Sequence, residues 1–297
     1  THAFFKALLF LGAGSVMHAM QGELDIMKMG GLKKHMPATY LTFLIASISI
    51  AGIPGLAGFF SKDEILWLAY TQGDLGKIVW AIGAFTALLT AFYSFRIVYL
   101  AFHGEFRGGQ ELESHLHESP KSMTIPLWVL AIGAIAAGWV GIPHVLGGHN
   151  QFGEFLGHVV SHPHVEAGLI EEYLVMGLSV VLAVLGIAVA LYFYRKRTDI
   201  PGKLAEKYSG VHHLLWNKYF IDEVYDATIV QPARGIARNV IVAVTDGRII
   251  EGIVNGVPKL IGKTGEALRL LQNGFVHRYA AIMGLGFILV LAIAFLW

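Results

Sequence analysis

Long apolar segments separated by short polar stretches dominate the hydropathy pattern of this chain. A membrane hydrocarbon core about 30 Å thick is crossed by about 20 apolar residues in a helix, at about 1.5 Å per residue. Six segments are long enough, at positions 1–20, 37–70, 78–102, 123–142, 173–194 and 279–297. Aromatic residues stand near the segment ends, as the membrane–water interface favours. The pattern predicts an all-α, polytopic transmembrane helix bundle.

The second segment is too long for one straight span. A helix over 37–70 would extend roughly 51 Å, beyond the roughly 40–45 Å of a bilayer with its headgroups. Pro54 and the glycines between 52 and 58 predict a break, because proline removes a backbone donor and glycine weakens a helix. Broken helices of this kind mark ion sites in transporters. The alternative is a span that ends near Phe60 and is followed by a short interfacial helix from Ser61.

The distribution of lysine and arginine among the loops predicts an orientation. Loops after the first, third and fifth segments hold most of these residues, whereas the loops after the second and fourth hold only Lys77. Cytoplasmic loops carry the excess of positive charge. We therefore place the first group of loops in the cytoplasm.

Residues 198–276 follow a different pattern, in which charges return and apolar residues recur at three- and four-residue steps over 221–271. This periodicity is typical of a two-faced helix that lies in the membrane interface. Such a helix would extend roughly 75 Å, more than twice the bilayer core, so it must run sideways. We predict a bundle at 1–197, a lateral amphipathic helix on the cytoplasmic side at 198–276, and a terminal transmembrane helix at 277–297.

The composition narrows the classes of function. Only 14% of the residues are Asp, Glu, Lys or Arg, against roughly 25% in a soluble domain, which excludes a soluble protein. A net charge of +1 indicates no nucleic-acid surface. Because the chain has no cysteine, it holds no thiolate metal site or iron–sulfur cluster, and any electron transfer must occur on another chain.

His2 and Lys6 are candidate functional residues in the first segment. They are four residues apart and share one helix face among Phe, Leu and Ala. A lysine inside an apolar span is costly and normally faces a bundle interior as a relay, gate or counter-ion. The alternative is a lysine near a helix end that reaches to the headgroups. Since the chain opens within an apolar run, we expect it to begin inside a helix.

Lys62 and Asp63 follow the predicted break. We expect Lys62 at the N-terminal end of a half-helix, where desolvation and the positive end of the helix dipole disfavour its charged form. Asp63 opposes both effects, so the lysine takes up and releases a proton at modest cost. The alternative is a helix start with solvated charges, in which Ser61 and Glu64 form a capping box.

Histidines gather in two loops, and the spacing of His158 and His162 suggests zinc chemistry. No thiolate and no rigid spacing supports a zinc site, so no metal site is predicted. The sequence also contains no Walker loop, dinucleotide fingerprint or nucleophile elbow.

Four stretches carry a resemblance to a known family. They read THAFFKALLFLGAGS at 1–15, KMGGL at 28–32, GIP at 52–54 and AGFFSKDEI at 57–65. They resemble the L-subunit family of proton-pumping NADH:quinone oxidoreductase, respiratory complex I. Over the first hundred residues the motifs themselves match. Beyond them the resemblance rests on the order of further spans, a long lateral helix and a terminal span. Gly55 stands where the family often has a second proline, so the resemblance does not fix the shape of the break.

The resemblance implies an antiporter-like subunit that conducts protons through buried residues, with His2, Lys6, Lys62 and Asp63 matching the relay motif of its C-terminal half-channel. The family's N-terminal half-channel has no counterpart here, so the chain alone is not expected to pump. No cofactor is expected on this chain: NADH, FMN, iron–sulfur clusters and quinone belong to other subunits. The implied partners are other membrane subunits of complex I, especially adjacent antiporter-like subunits along the lateral helix, and the lipid of a bacterial inner membrane.

Two other functions stay open. A related multisubunit cation/proton antiporter or a membrane-bound hydrogenase has a large subunit with the same antiporter core. The second alternative is a purely structural clamp. In it the lateral helix braces its neighbours, and the charges are interfacial. The depth and solvent accessibility of Lys6 and Lys62 separate the clamp from a transporter.

Overall fold

The computed structural model describes residues 1–157, 168–270 and 274–296. No strand occurs in these ranges, where the β structure consists of an isolated bridge between Gly141 and Asn150. The predicted all-α class is therefore confirmed. Contacts divide the chain into two compact units, Thr1–Lys207 and Tyr208–Trp297.

The first unit is a bundle of apolar helices joined by short turns. Its α-helices are α1 (His2–Ala19), α2 (Pro37–Ala51), α3 (Ala57–Tyr70), α4 (Gly73–Phe102), α5 (Gln110–His115), α6 (Lys121–Ala136), α7 (Gln151–Leu156), α8 (Leu169–Leu191) and α9 (Ile200–Lys207). A π-helical turn, Tyr192–Lys196, extends α8, and a 3-10 turn, Ala137–Val140, extends α6.

Four helical segments of the described chain are long and apolar enough to cross a membrane: Gly73–Phe102, Lys121–Val140, Leu169–Lys196 and Val276–Leu296. They correspond to the third, fourth, fifth and last predicted spans. The first predicted span is the 18-residue α1. The second is divided between α2, with 15 residues, and α3, with 14, so neither half alone reaches the length of a span.

Small residues bring the long helices of the first unit together. Helix α4 packs along α8, and Ala91, Ala183 and Ala190 are fully buried at the apolar cluster they share. Small side chains let helix backbones approach closely, which is how membrane helices gain packing energy without a hydrophobic driving force. Helix α3 packs against α2, α4 and α8, so the residues that follow the break lie inside the bundle.

A side chain distant in sequence caps the N-terminal end of α2. Glu118 accepts hydrogen bonds from the N–H groups of Ala38, at 2.7 Å, and Thr39, at 3.3 Å, and from the Thr39 hydroxyl at 2.6 Å. It also accepts one from the N–H of Ser119 at 3.1 Å. The hydroxyl oxygen of Ser15 on α1 lies 2.7 Å from those of Thr39 and Ser119. The carboxylate thus satisfies amides that a helix start leaves unpaired and opposes the positive end of the dipole.

The second unit is mainly helical, with α10 (Ser209–Trp216), α11 (Ile221–Tyr225), α12 (Gln231–Ile236), α13 (Glu251–Arg269) and α14 (Val276–Leu296). The π-helical stretches Asp226–Val230 and Ala237–Ile250 join α11, α12 and α13 into one helical run. Pro232 stands at the start of α12, and Pro258 lies inside α13. The orientation of this run relative to the membrane stays a prediction.

Candidate functional site

The backbone break lies at residues 52–56, between α2 and α3. The Gly52 N–H donates to the Ser49 carbonyl at 3.0 Å, and the Ile53 N–H donates to the Ile48 carbonyl at 3.4 Å. With Gly52 at a φ of +79°, this is the Schellman pattern of a helix C-terminus, which favours glycine. The alternative of a new helix from Ser61 is wrong, because α3 begins at Ala57 and passes Ser61 without interruption.

Ser49 joins the two half-helices to a third helix. Its hydroxyl oxygen accepts a hydrogen bond from the Gly58 N–H, in the first turn of α3, at 3.2 Å and donates one to the Ala134 carbonyl of α6 at 3.0 Å. A Cβ atom at Gly58 would clash with the Ser49 carbonyl, so α2 and α3 meet there at a distance that only glycine allows. Ser49 is fully buried. The break is therefore a packed structure in which the Ser49 hydroxyl and the Gly58 N–H are paired.

Lys62 lies against the C-terminal end of α2. Its Nζ donates a hydrogen bond to the carbonyl oxygen of Ala51, the last residue of α2, at 2.7 Å. That end of a helix carries unpaired carbonyls and the negative end of the dipole, both of which favour a cation. The expectation that Lys62 stands at the start of a half-helix is wrong, because α3 begins at Ala57 and Lys62 falls in its second turn.

The glycine at the break also makes room for this lysine. A Cβ atom at Gly52 would clash with both Nζ and Cε of Lys62. Gly52 therefore meets two needs: its backbone conformation ends α2, and its missing side chain lets the ammonium group reach the Ala51 carbonyl.

Asp63, the next residue, is the most completely buried acid at the site. Its side chain is 4% exposed, and neither carboxyl oxygen has a hydrogen-bond partner. Ser179 on α8 lies near this carboxyl group, but its hydroxyl makes no hydrogen bond of normal geometry with it. Among the described residues no ion pair joins Lys62 to Asp63. A buried carboxyl group without a partner requires water or a bound proton, because its desolvation is costly.

A cavity of about 310 Å³ adjoins Asp63 between α3, α8 and the loop that precedes α7. Its polar lining groups are Asp63 and Glu64 of α3, Glu172 of α8 and Asn150 of the loop. Asn150 Nδ2 donates to Glu64 Oε1 at 3.0 Å. The alternative in which Ser61 and Glu64 form a capping box is therefore wrong: Glu64 binds the loop, and the side chain that binds an amide in the first turn of α3 is Ser49 of α2.

His2 and Lys6 lie on α1, which packs against α2 and α6, and both side chains are exposed in this chain. The His2 ring contacts the Phe5 ring edge-on, with centroids 5.3 Å apart. No hydrogen bond or ion pair in the described part of the chain joins either residue to Lys62 or Asp63. The relay that the resemblance implies for these residues stays a prediction.

Sequence reasoning did not select Glu172, Asn150, Ser49 or Glu118. Glu172 lies in the first turn of α8, where an acid is ordinary helix-start chemistry. Ser49 looks like one more small residue in an apolar segment. Each of these residues contacts an element more than ten positions away or on the far side of the break. A local sequence pattern does not predict contacts of that kind.

No group of three or more His, Cys, Asp or Glu residues in the described chain is arranged to hold a metal ion. The prediction that the chain has no metal site is not tested for the other residues. His158 and His162, whose spacing suggested zinc, lie outside the described residues.

Comparison with known proteins returns one family model and several relatives. Residues 1–90 match the transmembrane family model described as NADH:quinone oxidoreductase/Mrp antiporter. The NAD(P)H-quinone oxidoreductase chain 5 of Picosynechococcus sp. is 39% identical over 332 residues, which cover 99% of this chain and 48% of that protein.

Two bacterial relatives carry the name NADH-quinone oxidoreductase subunit L. That of Neisseria meningitidis serogroup B is 34% identical over 99% of this chain and 48% of its own length. That of Rickettsia bellii is 36% identical over 100% of this chain and 46% of its own length. The chain thus spans about half the length of the curated relatives it matches. The resemblance inferred from its motifs is confirmed.

Proposed function

We propose that this chain is part of a proton-translocating membrane subunit of NADH:quinone oxidoreductase, in which Lys62 is the proton carrier and Asp63 its acidic neighbour. The observation that supports this most directly is the position of Lys62 Nζ, 2.7 Å from the free carbonyl end of α2 and beside a buried carboxyl group without a partner. Buried ionisable groups at a helix break are typical of ion pathways in membrane proteins.

The lysine is held by a contact that depends on its charge. With the ammonium form, Nζ donates to the Ala51 carbonyl at the negative end of α2. After Nζ gives up its proton, the neutral amine keeps little attraction for that end, and the side chain is free to turn. A flexible four-carbon stem lets the amine meet proton donors and acceptors at different positions.

His2 and Lys6 supply the next groups of the relay in this proposal, reached through water or through parts of the full-length subunit beyond this chain. Redox chemistry, with NADH, FMN, iron–sulfur clusters and quinone, takes place on other subunits. The partners are the neighbouring membrane subunits, contacted along the lateral helix on the cytoplasmic side of a bacterial inner membrane. The family model that matches residues 1–90 also includes the subunits of cation/proton antiporters, which is the alternative function. The relatives that match nearly the whole chain, however, carry quinone oxidoreductase names.

The test uses the intact complex in proteoliposomes, with proton uptake and NADH oxidation measured together. We expect Lys62→Ala to abolish most proton transport while the complex still assembles, because alanine removes the carrier. Lys77→Ala is the matched control: Lys77 is an exposed lysine in the first turns of α4, paired with Asp74 at 4.0 Å. It should pump as the parent does.

Lys62→Ala and Lys62→Met are compared so that a packing defect in one does not decide the result. If both variants pump at the parental rate and ratio of protons to NADH, Lys62 is only a helix-end charge and the proposal fails. If both lose transport while Lys77→Ala keeps it, the carrier role stands.

A further inference from the structure

The cavity beside Asp63 contains a second acid that the relay described so far does not use. Glu172, on α8, lines the same cavity of about 310 Å³ as Asp63, on α3. The two acids therefore stand on different helices, with open space shared between them. A volume of this size, with carboxyl and amide groups among apolar residues in its lining, accommodates several water molecules.

The burial of Asp63 bears on whether the cavity contains water. It is buried, lines the cavity and has no hydrogen-bond partner on either oxygen. A native carboxyl group is not left in that state, because burying its oxygens without hydrogen bonds is costly. Water in the cavity would supply the missing partners, and a chain of such water molecules would join Asp63 to the other polar lining groups.

The loop that closes the cavity is tied at both sides. Asn150 Nδ2 binds Glu64 Oε1 of α3 at 3.0 Å, and the Tyr173 hydroxyl of α8 donates to the Val145 carbonyl at 2.6 Å. Pro143, Val145 and Asn150 of this loop line the cavity. The loop follows the fourth predicted span, so the charge distribution predicts it on the non-cytoplasmic side. Glu172 lies beside it, at the start of α8.

We propose that Glu172 is a further proton-transferring residue, which exchanges protons with Asp63 through water in this cavity and connects the site to the non-cytoplasmic loop. In each transfer a proton leaves a carboxyl oxygen of Asp63 for a water molecule, and a proton of the water chain bonds to a carboxylate oxygen of Glu172. Asp63 becomes charged as Glu172 becomes neutral, so the cavity's net charge does not change. This inference rests on the proposed function of Lys62.

Glu64 has a different role in the same cavity. Its carboxylate is engaged by Asn150, which also accepts a hydrogen bond from the Gly153 N–H at 2.9 Å and so fixes the start of α7. Glu64 therefore positions the loop. The acids on α3 and α8 line the same cavity, and Glu172 stands in the first turn of α8.

The activity test compares two adjacent glutamates in the intact complex. We expect Glu172→Gln to slow proton transport at least tenfold, the scale of losing one positioned acid–base group. The control is Glu171→Gln, because Glu171 is exposed and does not line the cavity. Glu172→Asp keeps a carboxyl group on a shorter side chain and should recover part of the transport with a shifted pH profile. If the Asp and Gln variants are equally impaired, Glu172 serves packing and the inference is overturned.

A second measurement tests the water without relying on activity. Brief radiolysis produces hydroxyl radicals from water bound inside a protein, and these radicals oxidise the side chains beside it. Trp67 is only 8% exposed but lines the cavity, whereas Met36 is fully buried in an apolar cluster. We expect Trp67 to be oxidised and Met36 to be protected. Equal protection of both would show a dry cavity and overturn the inference.

Failure of this inference is distinguishable from failure of the proposed function. If Lys62→Ala abolishes transport while Glu172→Gln transports at the parental rate, the lysine carrier stands and the role of Glu172 falls. If Lys62→Ala itself transports normally, the carrier proposal falls and the inference falls with it.

Discussion

The two ends of helix α2 are both held by charged side chains from other parts of the chain, yet they are built differently. At the N-terminal end the Glu118 carboxylate accepts four hydrogen bonds, three of them from Ala38 and Thr39, and a buried hydroxyl cluster with Ser15 surrounds it. At the C-terminal end Lys62 makes a single hydrogen bond, to the Ala51 carbonyl.

The two ends differ in how many hydrogen bonds hold the charged side chain. Four hydrogen bonds hold the Glu118 side chain in place, whereas one holds Lys62. In the proposed function, that single contact is what leaves the lysine side chain free to turn. The helix thus has an acidic side chain at its N-terminal end and a basic one at its C-terminal end, the charges that its dipole favours.

The largest effect is expected from breaking the anchor. Glu118→Ala removes the cap and leaves the first amides of α2 and the hydroxyls around them without an acceptor, which should cost about 2–4 kcal/mol of local stability. Hydrogen exchange of the intact complex, followed by mass spectrometry of peptides from the start of α2, measures this cost as faster exchange.

Glu113→Ala is the control, since Glu113 is exposed on the short helix α5 of the same loop region. Glu118→Gln keeps an acceptor without the charge and should lie between the parent and Glu118→Ala. Unchanged exchange at the start of α2 in Glu118→Ala would show that the hydroxyl cluster, and not the carboxylate, holds this end.

The next largest effect is expected near the C-terminal end of α2. Gly58→Ala places a methyl group against the Ser49 carbonyl and should cost about 1–3 kcal/mol as α3 moves away from α2. Because Lys62 is carried by α3, proton transport should fall together with the thermal midpoint of the complex. Gly14→Ala, on α1 with no atom near the added methyl, should leave both unchanged. Parental transport in a destabilised Gly58→Ala complex would show that helix spacing does not set the position of Lys62.

The smallest effect concerns pH at the anchored end. His103, just beyond the end of α4, accepts or donates a hydrogen bond with the Tyr40 hydroxyl of α2 at 3.2 Å, and burial lowers its pKa, assisted by the charges of Lys33 and Arg195. In the pH range between the lowered pKa and the ordinary value of about 6.5, the unfolded chain binds more protons than the folded chain. Stability contributed by neutral His103 is therefore present above about pH 6.5 and is lost as the pH falls below it.

The measurement is the thermal midpoint of the parental complex minus that of His103→Gln, followed from pH 8 to pH 5. This difference should shrink as the pH falls. The same subtraction with His115→Gln, at an exposed histidine of α5, should stay flat. A constant difference for His103→Gln would mean that its protonation is not linked to folding.

Local patterns in the sequence predict the long helices and the position of the break. The apolar segments become α4, α6, α8 and α14, and Pro54 with its neighbouring glycines falls between α2 and α3. These features depend on residues close together in the chain: the length of an apolar run, the missing N–H of proline and the positive φ of Gly52. The start of α3 at Ala57 was harder to predict, because the Gly58 N–H in its first turn binds Ser49 of another helix rather than a local capping box.

The sequence by itself determined that this protein is an all-α membrane protein with an interrupted helix and with Lys62 and Asp63 just after the interruption. Only the tertiary structure decided that Lys62 faces the C-terminal carbonyl of α2, that Glu118 caps its opposite end, and that Glu172 shares a cavity with Asp63. The reason is physical: helix formation and membrane insertion depend on near neighbours in the chain. The charge, hydration and partners of a buried side chain depend on helices that pack together from distant positions.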